Sequence, residues 1–121
     1  MADPRAVVEA YWAAEMARDL EEILAHYQDD AELVVPDLGR LVGHREISRF
    51  YSASIESYPR LEVEIVRAIV NGASGAFEWS SVHHDYAGSS YPCSGVNIVD
   101  VVGDKMQRVH VYYDPRIFSA H

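Results

Sequence analysis

The sequence predicts an α+β fold, with three helices in the first half and a mainly antiparallel sheet in the second. Apolar residues recur at helical spacing up to about residue 58 and alternate with polar ones from Leu61 onward. Glycine-bearing turn signals, Asn71-Gly72, Ala87-Gly88 and Gly103-Asp104, then cut the second half into four strand-length pieces. Helices followed by an antiparallel meander imply helices laid on the concave face of a bent sheet.

Asp3-Pro4 opens the first helix, because aspartate caps free N–H groups and proline is tolerated at the first helical position. Val7, Val8, Tyr11, Trp12 and Met16 give that helix one broad apolar face. Asp19 with Glu22 three residues later is a capping-box pattern that ends helix one near Arg18 and begins helix two. On helix two Leu20, Ile23, Leu24 and Tyr27 fall at i, i+3, i+4 and i+7, and Asp29-Asp30 is read as its end. Residues 31–36 form a short strand closed by Pro36, Asp37 to Arg40 a turn, and Leu41 to Gly43 a short return. A third helix runs from His44 to before Pro59, with Ile47, Phe50, Tyr51 and Ile55 on one face. The strands that follow are expected at 61–70, 76–86, 91–102 and 105–113.

At 121 residues the chain is expected to form one domain, 1–121, with a single core. A hydrophobic fraction of 49% with 24% charged residues is ordinary for a globular protein. The formal charge of −9 offers no basic footprint, so neither nucleic acid nor an anionic membrane surface is expected as a partner. One cysteine, Cys93, permits no internal disulfide, and the first residues lack a signal-peptide pattern, so a cytoplasmic location is expected.

Several segments match a known family in order and spacing: Ala6-Val7-Val8 with Tyr11, Ala13-Ala14, Asp19-Leu20, Asp29-Asp30-Ala31, Ile47 to Tyr51, and Gly95-Val96-Asn97 through Lys105 to Tyr112-Tyr113-Asp114-Pro115. Over nearly its whole length the chain resembles the ketosteroid isomerase branch of the NTF2-like (SnoaL-like) superfamily. The resemblance implies a cone-shaped, cystatin-like α+β barrel around an apolar pocket, a hydrophobic small-molecule ligand, no cofactor, and a homodimer through the outer sheet face. In those isomerases a tyrosine and a protonated acid donate hydrogen bonds to a dienolate oxygen while an aspartate shuttles the proton. Tyr11 matches the tyrosine, Asn97 stands at the acid, and Tyr27 and Tyr51 match two supporting tyrosines. The base departs from the pattern, since Val35 stands directly before Pro36 where the family has aspartate.

Tyr and Asn both donate at ordinary pH, so an oxyanion pair is available without a large pKa shift; the plainer reading is that Tyr11 and Asn97 satisfy each other in a core. Three candidates could replace the base. Glu15 is one turn from Tyr11 on the same face, where burial would raise its pKa, unless it turns to the solvated rim. Asp37 is either a base or an ordinary turn aspartate. His83-His84-Asp85 sends one histidine inward by strand alternation, with an extra residue and a bulge in strand 76–86 deciding which; His84 is carried as the catalytic candidate. As a metal site the run is poor, because adjacent strand residues face opposite ways, and no metal is expected. With Asn97 inward, Val99, Val111 and Tyr113 share its face as ligand contacts, beside Val35, Tyr27, Tyr51 and Trp79, while Phe77 and Trp79 also read as core aromatics. Cys93 has no activating neighbour and is expected to be inert.

The leading expectation is therefore an enzyme acting next to a carbonyl of a steroid- or polyketide-like ligand, by isomerisation, cyclisation or dehydration. A non-catalytic binding protein is the alternative, and an epoxide hydrolase a third.

Overall fold

A computed structural model describes residues 3–119; residues 1, 2, 120 and 121 of the expected domain lie outside the described residues. Helix α1 (Pro4–Met16) starts where Asp3 accepts a hydrogen bond from the Arg5 N–H at 3.1 Å. Helix α2 (Leu20–Ala25) starts where Asp19 accepts from Glu22 N–H at 3.2 Å, so both expected caps are formed. Strand β1 (Tyr27–Val35), strand β2 (Gly39–Val42), helix α3 (Gly43–Ser57), and strands β3 (Arg60–Asn71), β4 (Ser74–His84), β5 (Ser90–Val102) and β6 (Lys105–Tyr113) follow. A last short helix, α4 (Arg116–Ser119), was not anticipated.

The six strands form one curved, unclosed sheet in the order β2-β1-β6-β5-β4-β3. All pairings are antiparallel except β1 with β6, so β3 to β6 make the expected meander and β1 joins its end in parallel. Helix α1 packs against β3 and α3 against β1, on one face of the sheet. The core lies between these layers, with Val8, Ile23, Leu33, Ile47, Phe77 and Val99 all fully buried. No helix among the described residues is long and apolar enough to cross a membrane.

Two element assignments change. Tyr27 does not continue α2, and Asp29-Asp30 does not end a helix; both lie in β1. The His26 carbonyl accepts a hydrogen bond from Met106 N–H at 2.8 Å, so pairing with β6 draws the chain into the sheet one turn earlier than periodicity suggests. The bulge expected in β4 lies instead in β3, between Ile65 and Arg67. The β4–β5 register is unbroken from Ser74 opposite Asp100 to His84 opposite Ser90, which puts Phe77, Trp79, Ser81 and His83 on one face.

Candidate functional site

Between the helices and the concave face lies a cavity of about 840 Å³. Tyr11 and Glu15 reach it from α1 and Tyr51 from α3, while Trp79, Asn97, Val111 and Tyr113 reach it from the sheet. Helical spacing places Tyr11 above Glu15, and α1 lies against the sheet over its apolar face, so both polar groups are carried inward with it.

The Tyr11 hydroxyl donates to Glu15 Oε2 at 2.6 Å and lies 2.7 Å from the Tyr51 hydroxyl, which is 2.5 Å from that of Tyr27. Each phenol has one proton. With Tyr11 giving its proton to a charged Glu15, it accepts from Tyr51, and Tyr51 in turn accepts from Tyr27. Burial, first of all, pushes the Glu15 carboxyl above the usual range, opposed by the Tyr11 hydrogen bond and the Arg18 charge. Burial and the neighbouring carboxylate also push Tyr11 upward, so it stays a neutral donor.

Arg18 closes this end of α1. It adopts a left-handed backbone (φ 54°) that turns the chain toward α2, and its guanidinium donates to the Glu15 carbonyl and to Ser54 Oγ. Across the cavity Trp79 Nε1 donates to Asn97 Oδ1 at 2.8 Å. An indole N–H can only donate, which fixes the amide orientation and leaves the Asn97 NH₂ as the group available to a ligand. Gly95 permits this arrangement: a Cβ there would stand 2.6 Å from the Trp79 ring and 2.3 Å from the Tyr112 carbonyl oxygen.

Of the residues singled out from sequence, Tyr11, Glu15, Asp37, Tyr51, Trp79, Asn97, Val111 and Tyr113 meet at the cavity. Asp37 is at the exposed mouth. With burial as the larger cause, its charge helps to push the Tyr113 phenol up to about 12. Cys93 also lines the wall, with its thiol raised by burial.

Four expectations are corrected. Tyr27, Val35 and Val99 are fully or almost fully buried behind the wall, so Tyr27 supports Tyr51 and the two valines are core. His84 faces outward, its Nε2 3.2 Å from Glu62 Oε2 and its Nδ1 3.1 Å from Ser90 Oγ. His83 lines the cavity instead, because it shares strand parity with Trp79. Burial above all, with the charges of Arg18 and His84, holds its pKa down at about 4, so it is neutral at physiological pH. Sequence reading missed Arg18, Ser54 and Ser81; the parity of Ser81 with Trp79 was the one available signal. Among the described residues no cluster of His, Cys, Asp or Glu is placed to hold a metal ion.

The sequence profile of the SnoaL-like domain matches residues 8–109, most of the chain. The chain belongs to the SnoaL-like domain family. No curated protein sequence matches this SnoaL-like domain. Among solved structures it is similar to TerC co-crystallised with polyporic acid, at 19% identity over 98% of this chain and 97% of that one, with a TM-score of 0.84. It is also similar to a protein of ketosteroid isomerase-like fold from Catenulispora acidiphila in complex with trimethylamine, at 17% identity, covering 90% and 85% of the two chains, with a TM-score of 0.80. An LEH-like epoxide hydrolase from M. tuberculosis is similar at 19% identity over 94% and 85%, with a TM-score of 0.79. At these identities the likeness is one of fold.

Proposed function

We propose that this SnoaL-like domain moves a proton next to a carbonyl of a hydrophobic, steroid- or polyketide-like ligand, with Glu15 as the base and Tyr11 and Asn97 receiving the oxygen. The observation that carries the reading is Glu15 itself: a buried carboxyl on the cavity wall, 2.6 Å from the Tyr11 hydroxyl, with its pKa raised by burial toward the range useful for general-base work. In the step, Glu15 takes the proton from the carbon beside the carbonyl. The C–H electron pair becomes the enolate double bond, and the carbonyl π pair moves to oxygen, where the Asn97 NH₂ and Tyr11 hydroxyl donate. Return of the proton to another carbon completes an isomerisation, and the step needs no cofactor.

The test is exchange of carbon-bound hydrogen for deuterium in a panel of β,γ-unsaturated and polyketide-like ketones, followed by NMR. Glu15→Gln keeps an acceptor for Tyr11 but cannot take a proton, and is expected to lose about 100-fold or more of the exchange rate. Exchange that persists in the variant overturns the assignment.

The alternative, a ligand-binding protein without turnover, is favoured by one observation: the Tyr11 hydroxyl is already shared between Glu15 and Tyr51. Tight retention of ligands with no exchange across the panel is its signature. A second copy of the chain is proposed on the outer sheet face, where Ile98 and Tyr112 are exposed; light scattering reads this directly.

A further inference from the structure

Polar groups on and beside the same cavity have no task in the proposed reaction. The Arg18 side chain is 9% exposed, and its Nη1 stands 3.8 Å from Glu15 Oε1, beyond hydrogen-bond distance. Its two Nη groups find the Glu15 carbonyl and Ser54 Oγ, but its Nε has no hydrogen-bond partner among the described residues. On the facing strand β4, Ser81 Oγ and His83 Nδ1 are likewise buried and without a partner among the described residues. Ser81 is 4% exposed, and Ser54, Ser81 and His83 all line the cavity. The surroundings are otherwise aromatic, with Tyr58 and Phe118 packed edge-on against the His83 ring at centroid distances of 5.1 and 4.9 Å.

Buried polar groups are nearly always paired, so Ser81 and His83, unpaired on one face of β4 at the cavity wall, mark a place for a ligand atom. The Ser81 O–H is a donor, and a neutral imidazole can give or accept a proton in a hydrogen bond. The group they fit is an oxygen. Charge selects its kind. The Glu15 carboxylate opposes Arg18, and neutral His83 adds no second cation, so an uncharged oxygen meets less repulsion here than a carboxylate would.

We infer that this end of the cavity is a second oxygen-binding subsite, in which Ser81 and His83 receive a hydroxyl or carbonyl oxygen of the ligand. The inference rests on the reading of the cavity as a carbonyl-ligand site and narrows the ligand class. Ser81 pairs with Cys93 and Phe77 with Asn97, so Ser81 stands four strand positions from the Asn97 pair. That is roughly 13 Å along the strand, and on the order of 10 Å between side-chain tips on a concave face. The ligand is thus a compound oxygenated at both ends, and not one with a single carbonyl on a bare hydrocarbon frame.

The experiment compares two planar probes of one skeleton by calorimetry: hydroxyanthracene with a single phenol, and dihydroxyanthracene with a second hydroxyl at the far end. The protein is expected to bind the diol about tenfold or more tightly, the worth of one well-placed hydrogen-bonding group. In Ser81→Ala and in His83→Phe, measured separately, that ratio is expected to fall to about twofold. Equal affinity of the two probes for the unmodified protein, or a preference that survives in both variants, overturns the subsite while leaving the carbonyl site standing. Failure of both probes to bind overturns both readings. A diol preference in a protein that exchanges no ketone hydrogen supports the subsite and removes only the catalytic reading.

Discussion

Replacing Tyr11 by phenylalanine removes a hydroxyl from a buried row, and the cost can be worked from its partners. The hydroxyl donates to Glu15 at 2.6 Å and lies 2.7 Å from Tyr51, while Tyr51 keeps Tyr27. A hydrogen bond to a charged group contributes about 1.5–3 kcal/mol and a neutral one about 1, so Tyr11→Phe is expected to cost about 3 kcal/mol when Glu15 is ionised. In a chain of this size that is roughly a 10 °C fall in melting temperature. The cost depends on pH with a definite sign. Tyr11 favours the charged carboxylate against the upward push of burial, so its contribution is present in full above the folded-state pKa of Glu15 and declines as pH falls through it. Urea denaturation of both proteins, carried from alkaline pH downward, reads the difference. A cost below about 1 kcal/mol at the alkaline end, or one that does not shrink on acidification, would refute the assignment of Glu15 as a buried carboxylate held by Tyr11.

His83 should impose a slope of the same sign by a different route. Its folded pKa of about 4 lies below the free value of about 6.5, so the unfolded chain binds more protons between those values. Stability from this group is therefore lost as pH falls from about 6.5 to about 4, by at most about 3 kcal/mol, and His83→Phe is expected to remove that slope in denaturation measured across the window. Val35→Asp, the substitution that restores the aspartate of the resembled isomerases, places an unpaired carboxyl at a position 1% exposed and off the cavity wall. It is expected to destabilise by about 3 kcal/mol or more with no gain in hydrogen exchange; a stable, more active variant would show that Val35 faces the ligand after all.

The fold was legible because its signals are local. Asp3 and Asp19 cap helices wherever the chain goes next, and Leu61, Val63 and Ile65 alternate because β3 has one face on the core. What misled was contact between distant segments. Tyr27 fits a helical stripe and an inward strand position equally well, and only Met106, 79 positions later, decides between them by pairing with His26. The site divides in the same way. Glu15 was legible from its spacing to Tyr11, whereas the choice between His83 and His84 depended on which strand carries the bulge, and the bulge proved to be in β3. Arg18 was illegible, because its inward turn follows from a left-handed backbone at an ordinary helix-ending position.

In the resembled isomerases the base stands on a strand and the tyrosine on a helix, two separate parts. Here the proposed base and the tyrosine are neighbours on α1 and share a proton at 2.6 Å. That contact couples their tasks. While Glu15 is charged, it is the strongest acceptor within reach of Tyr11, and the hydroxyl is held away from the ligand. Once Glu15 has taken the proton from carbon, the carboxyl is neutral and the charge lies on the enolate oxygen, which becomes the better acceptor for the same hydroxyl. The Tyr11 proton then follows the charge, with Tyr51 and Tyr27 still donating from behind to keep the phenol oriented. Stabilisation of the oxygen thus arrives with the proton transfer and is weak before it, which is the condition for a contact to speed the reaction instead of tightening the resting complex. On this account, moving the base from strand to helix changes when the oxyanion donor acts and leaves the chemistry of the cavity otherwise intact.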